Sequence, residues 1–333
     1  MGEEDRLKKV FFLKNLDKLD YALRFFGLES YSDKKTLIKL HMGEYKNKYF
    51  SKPDFVKLIV ESLINVSAKP FLYDTTVLYD SKRKNVDGYM KVAEMHGFTF
   101  ENIGCEVKID SEGIPVEVDG NKYIVGRELY NSDYIIGVSH LKGHISTGMG
   151  GTIKNFGMGG VTRESKRFMH HGSKPKFNQD ECRFCGVCSE VCPFDALTVD
   201  DSWSINQDSC FGCGVCVDNC EYNALDYVVN DLSYFLACST KACVDGKKVI
   251  YINDVNRISR SCDCDPDSGP IICPDIGYLV SDDPVAIDKA SLDLINDIKK
   301  DIFEKENKIS PMKQIKFGEE IGLGSSSYKL IEL

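Results

Sequence analysis

The sequence contains two cysteine quartets of equal spacing, Cys182-x2-Cys185-x2-Cys188-x3-Cys192-Pro193 and Cys210-x2-Cys213-x2-Cys216-x3-Cys220. They hold eight of the 14 cysteines in a chain of 333 residues. The first five residues, Met1 to Asp5, include three carboxylates, which is unlike a secretory signal. Because the reducing cytosol keeps thiols free, the quartets indicate bound metal rather than disulfides.

The spacing of the quartets resembles that of bacterial ferredoxins with two 4Fe–4S clusters. Gaps of two residues place three thiolates around one cubane, and the fourth cysteine of each quartet binds the other cluster. The predicted ligand sets are therefore crossed, with one cluster held by Cys182, Cys185, Cys188 and Cys220 and the second by Cys210, Cys213, Cys216 and Cys192. Gly186, Gly212 and Gly214 suit a backbone that wraps closely around a cofactor.

Zinc is the alternative metal, since it also binds C-x2-C pairs. Zinc ribbons use two pairs of cysteines, whereas this chain has two quartets. Glu221 follows Cys220 where ferredoxins usually have a proline, such as Pro193 after Cys192, but this change removes no ligand. Iron–sulfur clusters are the stronger prediction, and their chemistry is the transfer of single electrons.

The net charge of −9 is confined to one segment. Residues 178–227 contain ten carboxylates and one base, Arg183, so the rest of the chain is neutral. Nucleic-acid binding requires a basic stripe and is not expected. The acidic segment favours a redox partner protein with a basic face, although a segment that only aids solubility would have the same composition.

Composition and hydropathy exclude several classes of protein. With 42% hydrophobic and 28% charged residues, the chain is globular rather than collagen-like, disordered or coiled-coil. No apolar run reaches the roughly 18 residues that a membrane helix needs. We therefore expect a cytoplasmic protein with no membrane association. The sequence leaves a homo-oligomer open, and oxygen-sensitive clusters would suit an anaerobic habitat.

Strand and helix patterns alternate on both sides of the acidic segment. Apolar runs predict strands at residues 36–41, 70–74, 133–139 and 248–252. Helices are predicted at residues 54–66 and 85–96, a hairpin at 116–125 around Asp119-Gly120, and a helix start at Asp283-Pro284.

This alternation predicts an α/β fold with a mostly parallel sheet and flanking helices, interrupted by a small α+β dicluster ferredoxin-like insertion. The α/β domain is discontinuous and consists of residues 1–177 and 228–310. The insertion comprises residues 178–227, and residues 311–333 form a C-terminal extension.

A glycine-rich segment, residues 140–160, follows the strand at 133–139. Ligands of such sheets bind beyond the carboxyl ends of the strands, so this segment and residues 74–76 should border a cleft. Its glycines match neither the dinucleotide fingerprint nor the phosphate loop, but free amides beside lysines can hold a carboxylate or phosphate. The candidate catalytic residues are Asp74, His140, Lys142 and His144. The candidate cofactor-binding residues are Gly148, Gly150, Gly151, Thr152, Lys154 and Asn155.

Other interpretations of this region stay open. The segment could be a loop packed under the sheet. His140 and His144 could share a metal ion if they lay on a helix, which Gly143 makes less favourable. The basic stretch at residues 163–176 could be solvated surface, bind a second anionic group, or dock the acidic segment onto the cleft.

Six cysteines lie outside the quartets. Cys262 and Cys264 would project to one side of an extended chain, and together with Cys273 they could hold a metal or react at a cofactor. Cys238 and Cys243 are weaker candidates. Cys105 is expected to be a small buried residue.

Several motifs outside the quartets resemble those of the domain of unknown function 362 family. They are HMGE (41–44), PFLYDT (70–75), LY (78–79), GH (143–144), GTIKN (151–155), CDC (262–264), PDIG (274–277) and DPVAID (283–288). The resemblance covers about residues 37–290, and members of that family often carry an inserted dicluster ferredoxin domain. It implies the architecture above and no particular reaction. A more distant similarity to the nickel-pincer lactate racemase fold is an analogy.

These features give three functional hypotheses. The first is an iron–sulfur oxidoreductase whose two clusters pass electrons to a small anionic substrate or an organic cofactor in the cleft. FMN or another flavin is one such cofactor, with its phosphate held by glycine amides and Lys154. The second is an electron-transfer subunit without catalysis of its own. The third is a racemase-like isomerase or lyase with structural clusters.

Overall fold

The computed structural model describes residues 7–333, so the acidic start lies outside the described part of the chain. Its strands are β1 (Lys8–Leu13), β2 (Lys35–Leu40), β3 (Lys69–Thr75), β4 (Glu106–Asp110), β5 (Gly113–Val118), β6 (Asn121–Gly126), β7 (Tyr134–His140), β8 (Lys142–His144), β9 (Gly148–Gly150), β10 (Pro175–Phe177), β11 (Leu197–Val199), β12 (Trp203–Ile205), β13 (Leu225–Tyr227), β14 (Lys248–Val255), β15 (Ile258–Ser259), β16 (Ile271–Cys273), β17 (Gly277–Ser281) and β18 (Tyr328–Glu332).

The α-helices are α1 (Leu19–Phe25), α2 (Pro53–Asn65), α3 (Val86–Met95), α4 (Phe100–Ile103), α5 (Arg127–Tyr130), α6 (Thr152–Gly157), α7 (Arg163–Gly172), α8 (Val187–Glu190), α9 (Val215–Asp218), α10 (Leu232–Val244), α11 (Pro284–Ile298), α12 (Ile302–Asn307) and α13 (Met312–Glu320). Short 3-10 helices occupy Leu28–Tyr31, Lys82–Lys84 and Gln179–Glu181. None of the helices within residues 7–333 is long and apolar enough to cross a membrane.

Eight strands form the central sheet, in the order β18-β1-β17-β14-β7-β2-β3-β4. The strands from β14 to β4 are parallel, and Ile136 of β7 lies beside both Ile250 of β14 and Ile38 of β2. The antiparallel pairings are those of β17 with β1 and with β14. The predicted fold class, α/β with a mostly parallel sheet, is confirmed.

Helices cover both faces of the sheet. Successive residues of a strand point to opposite faces, and a parallel sheet buries both. Ile136 and Ile250 pack in one core with α2 and α3. Ile135 and Tyr251 pack in a second core with α6, α10 and α11. This double burial explains why the central strands are nearly continuous apolar runs.

The elements predicted from the sequence are confirmed. The four predicted strands are β2, β3, β7 and β14, and the predicted helices are α2, α3 and α11. The carboxylate of Asp283 accepts the amides of Val285 (3.0 Å) and Ala286 (2.9 Å), which caps α11. In the β5–β6 hairpin, Asp119 and Gly120 both have positive φ, as a two-residue turn of type I′ requires.

The last residues of the chain belong to the central sheet. The sequence sets residues 311–333 apart as an extension, but β18 pairs in parallel with β1, where Leu330 lies beside Val10. This strand forms the edge of the sheet, and most of its side chains are exposed. An edge strand needs no continuous apolar pattern, so β18 has no periodic signal in the sequence.

The segment 178–227, here called the cysteine module, is built from small elements: α8, α9 and the β11–β12 hairpin. At its boundary β10 pairs with β13, so the chain enters and leaves the module at neighbouring positions. Its buried apolar core consists of Leu197, Cys216 and Leu225, with Phe177 stacked on Trp203 at 4.5 Å beside it. The module therefore has little apolar core of its own.

Candidate functional site

A cavity of about 760 Å³, here called the cleft, lies beyond the carboxyl ends of β2 and β3. This size is typical of small-molecule sites. Phe194 and Phe211 of the cysteine module line one side of it. The candidates from the sequence that line the cleft are Asp74, Lys142, His144, Gly150, Gly151, Lys154, Asn155, Cys262 and Cys264. The candidates that do not are His140, Gly148, Thr152 and Cys273.

The sequence predicts His140 in the cleft, but the side chain lies behind the cleft wall. Its Nδ1 contacts both carboxylate oxygens of Asp263 (2.9 and 3.0 Å), and its Nε2 lies 2.7 Å from the carbonyl of Asn256. Burial raises the pKa of Asp263, but His140 and Lys142 outweigh burial and hold that pKa well below its usual range. Because both ring nitrogens are engaged, His140 positions Asp263, which in turn lies 3.3 Å from the Nζ of Lys142. His140 lies on β7 and His144 on β8, and among the described residues the ligand atoms close to His144 belong to Cys262 and Cys264 and not to His140.

The amides of the glycine-rich segment are bonded within the protein. The N–H groups of Thr152 and Ile153, at the start of α6, donate to the carboxylate of Asp288 (2.7 and 2.9 Å). A Cβ at Gly151 would lie 2.5 Å from an oxygen of Asp288, so glycine is needed for this approach. Gly148 packs against the backbone of Ile309 instead of facing the cleft. The predicted cradle for a phosphate is thus filled by a carboxylate of the chain itself, whose pKa burial raises to about 6.

A buried ion pair that the sequence analysis missed crosses the floor of the cleft. Lys39 of β2 is fully buried, and its Nζ lies 2.9 Å from Asp74 and 2.8 Å from the Oδ1 of Asn155. The hydroxyl of Tyr89 also donates to Asp74. Burial raises the pKa of Asp74, but the charge of Lys39 and the other neighbouring groups lower it by more, so the net shift of the pKa is downward. The available signal was a lysine inside the apolar run of β2.

A second buried network lies at the far wall. Arg83 is 0% exposed, and its guanidinium contacts Glu44 (2.9 Å) and the Nε2 of His41 (2.8 Å). Burial and the nearby Arg83 lower the pKa of His41 to about 3, so this ring is neutral at pH 7. Glu44 was singled out only as part of a family motif, and Arg83 lies in a polar stretch that gave no signal.

Lys166 also faces the cleft, although the sequence placed it in a basic stretch with no assigned contact. It lies on α7, is buried, and donates to the Oγ1 of Thr75 (2.8 Å) and the carbonyl of Thr76 (2.6 Å). Burial is the main cause that lowers its pKa to about 7, and Lys39 adds to the effect. Lys166 therefore changes charge near neutral pH, whereas Lys142 has a raised pKa and stays charged.

Three potential metal ligands meet in the cleft wall. The side-chain ligand atoms of His144, Cys262 and Cys264 all lie within 4.8 Å of one another. The amide of Cys264 donates to the Sγ of Cys262 at 3.3 Å. Burial lowers the pKa of His144 to about 4, so its ring is neutral at pH 7. Cys273, which the sequence grouped with the two cysteines, lies on β16 and is not part of this group.

The eight quartet cysteines are arranged around two further cavities. One, here called the outer thiol cavity, is lined by Cys182, Cys185, Cys188 and Cys220. The other, the inner thiol cavity, is lined by Cys192, Cys210, Cys213 and Cys216. Each cavity takes three thiols from one quartet and the fourth from the other, and this is the grouping on which the crossed ligand sets depend.

The basic stretch docks the cysteine module beside the cleft. The Nδ1 of His170 lies 3.0 Å from the carbonyl of Phe211, and Lys174 donates to the carbonyl of Gln207 at 2.6 Å. Phe194 stacks on Phe211 with ring centroids 4.6 Å apart. Phe194 lines both the inner thiol cavity and the cleft, so the two cavities are neighbours.

Comparison with curated proteins gives no match. Among solved structures, the chain is similar to the lactate racemase apoprotein from Thermoanaerobacterium thermosaccharolyticum, at 11% identity and a TM-score of 0.37, over 77% of this chain and 52% of that one. It is also similar to a structural-genomics protein from Thermotoga maritima, at 11% identity and a TM-score of 0.40, over 91% of this chain and 58% of that one.

The chain thus spans little more than half the length of these two proteins, and likeness at this level carries no information on activity. The profile of a family described as a domain of unknown function, DUF362, matches residues 36–293, which is most of the chain. The chain therefore belongs to the DUF362 family.

Proposed function

We propose that the protein is an iron–sulfur oxidoreductase that passes electrons through two 4Fe–4S clusters to a small anionic substrate or an organic cofactor in the cleft. The observation that carries the proposal is the pair of four-thiol cavities, the inner of which shares Phe194 with the cleft. When bound, such clusters supply the transfer of single electrons.

The backbone around the thiols fits a cluster. The amides of Phe184 and Ala196 donate to the sulfurs of Cys182 (3.4 Å) and Cys192 (3.3 Å). N–H···S bonds of this kind tune clusters in proteins. Positive φ at glycines 186, 212 and 214 bends the backbone around both cavities, and Phe184 lies in the left-handed region as well.

The charges in the cleft favour an anion. Lys142, Lys154 and Lys166 line it together, and among them Lys142 keeps its charge because Asp263 offsets the effect of burial on its pKa. A small carboxylate or phosphate would find two or three cations there. For a flavin phosphate the structure offers fewer donors, because the amides of Thr152 and Ile153, next to Gly151, are already bonded to Asp288.

The exposure of the two thiol cavities suggests the direction in which electrons would pass through the module. In the outer cavity Cys185 is exposed and Phe184 is 39% exposed, while in the inner cavity Cys216 is buried. The module carries the whole net charge of the chain. A redox partner with a basic face would therefore approach the outer cavity, and Phe194 and Phe211 would separate the inner cavity from the substrate.

Metal analysis of protein purified without oxygen tests the clusters. We expect about eight iron and eight sulfide ions per chain, as two 4Fe–4S clusters require. C185S and C213S should each lose about four irons, one variant from each cavity. C105S is the matched control, since Cys105 is a buried thiol outside both cavities, and it should retain all eight. Zinc in place of iron in the wild-type protein would overturn the proposal.

The role of the cleft is tested by electron delivery to an anionic acceptor. Reduced protein is mixed with a quinone sulfonate dye, and the reoxidation of the iron is followed by stopped flow. K154Q should slow the reaction, because Lys154 lines the cleft, whereas K316Q should not, because Lys316 is exposed on α13. If the two variants react at the same rate, electrons leave elsewhere and the protein acts as a carrier.

A further inference from the structure

We propose that His144, Cys262 and Cys264 bind one divalent metal ion of the zinc class in the wall of the cleft, distinct from the two thiol cavities. Cys262 and Cys264 belong to neither quartet, and neither lines either thiol cavity. The inference goes beyond the proposed function, because it holds whether or not the clusters deliver electrons to the cleft.

The distances suit a metal of that size. The three ligand atoms lie within 4.8 Å of one another. Zinc bonds of about 2.3 Å to sulfur and 2.0–2.1 Å to nitrogen place tetrahedral ligands roughly 3.5–3.8 Å apart. Side-chain shifts of about 1 Å or less would therefore close the group around an ion. Two thiolates and an imidazole are ligands that zinc prefers over calcium or magnesium.

The site has an open side. All three ligands line the cleft, where Lys142 and Lys154 are also found. Structural zinc sites use four protein ligands, whereas catalytic sites use three and leave the fourth position to water or substrate. A metal held here would present that fourth position to the cleft, beside two lysines. The ligand class expected at this position is a small oxyanion, with one oxygen on the metal.

The surroundings hold the two cysteines in place and leave His144 as the weaker ligand. The amide of Cys264 donates to the sulfur of Cys262 (3.3 Å), and Asp263 between them is fixed by His140 and Lys142. The Nδ1 of His144 accepts the amide of Ser146 at 3.1 Å, so the neutral ring carries its proton on Nε2. The ring must give up this arrangement to bind a metal, whereas each thiol only loses its proton.

Metal loading separates this site from the clusters. Protein with a full complement of iron is dialysed without oxygen against Zn²⁺, and iron and zinc are measured in the same sample. We expect one tightly bound zinc per chain in the wild type and none in C262S or C264S. H144Q should retain zinc with affinity weakened at least about tenfold. C273S is the matched control, a buried cysteine outside the group, and should bind zinc like the wild type.

Two further readouts keep the result interpretable. Iron content should be unchanged in all four variants, which shows that they fold and that any loss of zinc is local. Substitution of zinc by ¹¹³Cd should give one resonance in the range of sulfur-ligated cadmium, lost in C262S.

Zinc binding that survives in both C262S and C264S would overturn the proposal, and so would its absence from the wild type. A Cys262–Cys264 disulfide in protein isolated without oxygen, seen as a mass lower by two hydrogens, would also overturn it and assign the pair to a redox dithiol.

Discussion

The cysteine module and the α/β body around it reach their folds by different means. The body buries apolar side chains on both faces of an eight-stranded sheet. The module has six buried apolar residues, of which three form its core cluster, and its strands have three residues each. Below about 70 residues a single core rarely gives enough stability, and natural units of that size often add disulfides or metal. The body is therefore organised by its apolar core, whereas the module would gain its order from the clusters proposed above.

The two regions also differ in how they carry charge. The module holds the net charge of −9, mostly on exposed side chains. The body is neutral overall but buries Lys39, Asp74, Arg83 and Glu44 next to the cleft. Exposed charges act at long range on a partner, while buried charges determine what the cleft can bind.

Removal of iron should separate the module from the body most clearly. We expect the module to lose its ordered structure when the clusters are stripped, because its thiols then have no common partner. The body should stay folded. Amide hydrogen exchange measures this: protection within residues 178–227 should disappear, while β7 and β14 keep theirs. Equal protection of the module with and without iron would show that it folds by its own core.

In the body, loss of a buried charge should have the next largest effect. K39M leaves Asp74 without its nearest cation in the interior, and we expect it to lower the free energy of unfolding by about 3–5 kcal/mol. K35M is the matched control on the same strand, since the Lys35 side chain is 58% exposed and pairs with Glu128. Its effect should be below about 1 kcal/mol. Urea unfolding compares the two, and similar losses would refute the importance of the buried pair.

The charge of Lys166 should make anion binding in the cleft depend on pH. Its pKa of about 7 lies below the ordinary value because of burial. Its cationic form is present below this pH and is lost as the pH rises through it, so affinity for sulfate should fall between pH 6 and pH 8. Sulfate keeps its charge over this range. We expect a change of up to about tenfold by calorimetry, equal to about 1.4 kcal/mol.

K166Q should abolish this pH dependence. R167Q is the control on the same helix, because Arg167 is exposed, and it should leave the dependence intact. If the sulfate affinity of K166Q still falls between pH 6 and pH 8, another group of the cleft causes the pH dependence.

The contact between module and body should have the smallest effect. Lys313 of α13 contacts Asp218 of the module and Asp231 just after it, the latter at 2.8 Å. These are partly exposed pairs, so K313Q should cost no more than about 1 kcal/mol of stability, and less at high salt. K316Q, on the same helix, should cost nothing measurable. A larger loss for K313Q would mean that the module is held to the body mainly through this contact.

The sequence predicted the interior of the fold better than its edges. β2, β3, β7 and β14 are central strands with both faces buried, so their composition alone identifies them. β18 is an exposed edge strand without an apolar pattern, and β1 and β17 are short, mostly buried strands that were not predicted from the sequence.

In the cleft, Lys142, Lys154 and His144 were found because they follow a predicted strand. Lys39, Arg83 and Lys166 were missed because their buried contacts depend on distant parts of the chain.

The thiol quartets, the α/β class and the family can be read from the sequence, since fixed spacing and periodicity are local properties of a chain. The packing of the fold sets three other features: Asp288 accepts the amides of Thr152 and Ile153, His140 supports Asp263, and Cys262 and Cys264 meet His144. These contacts join residues more than 100 positions apart. Such pairs are brought together by strand order and packing, and no local pattern records them.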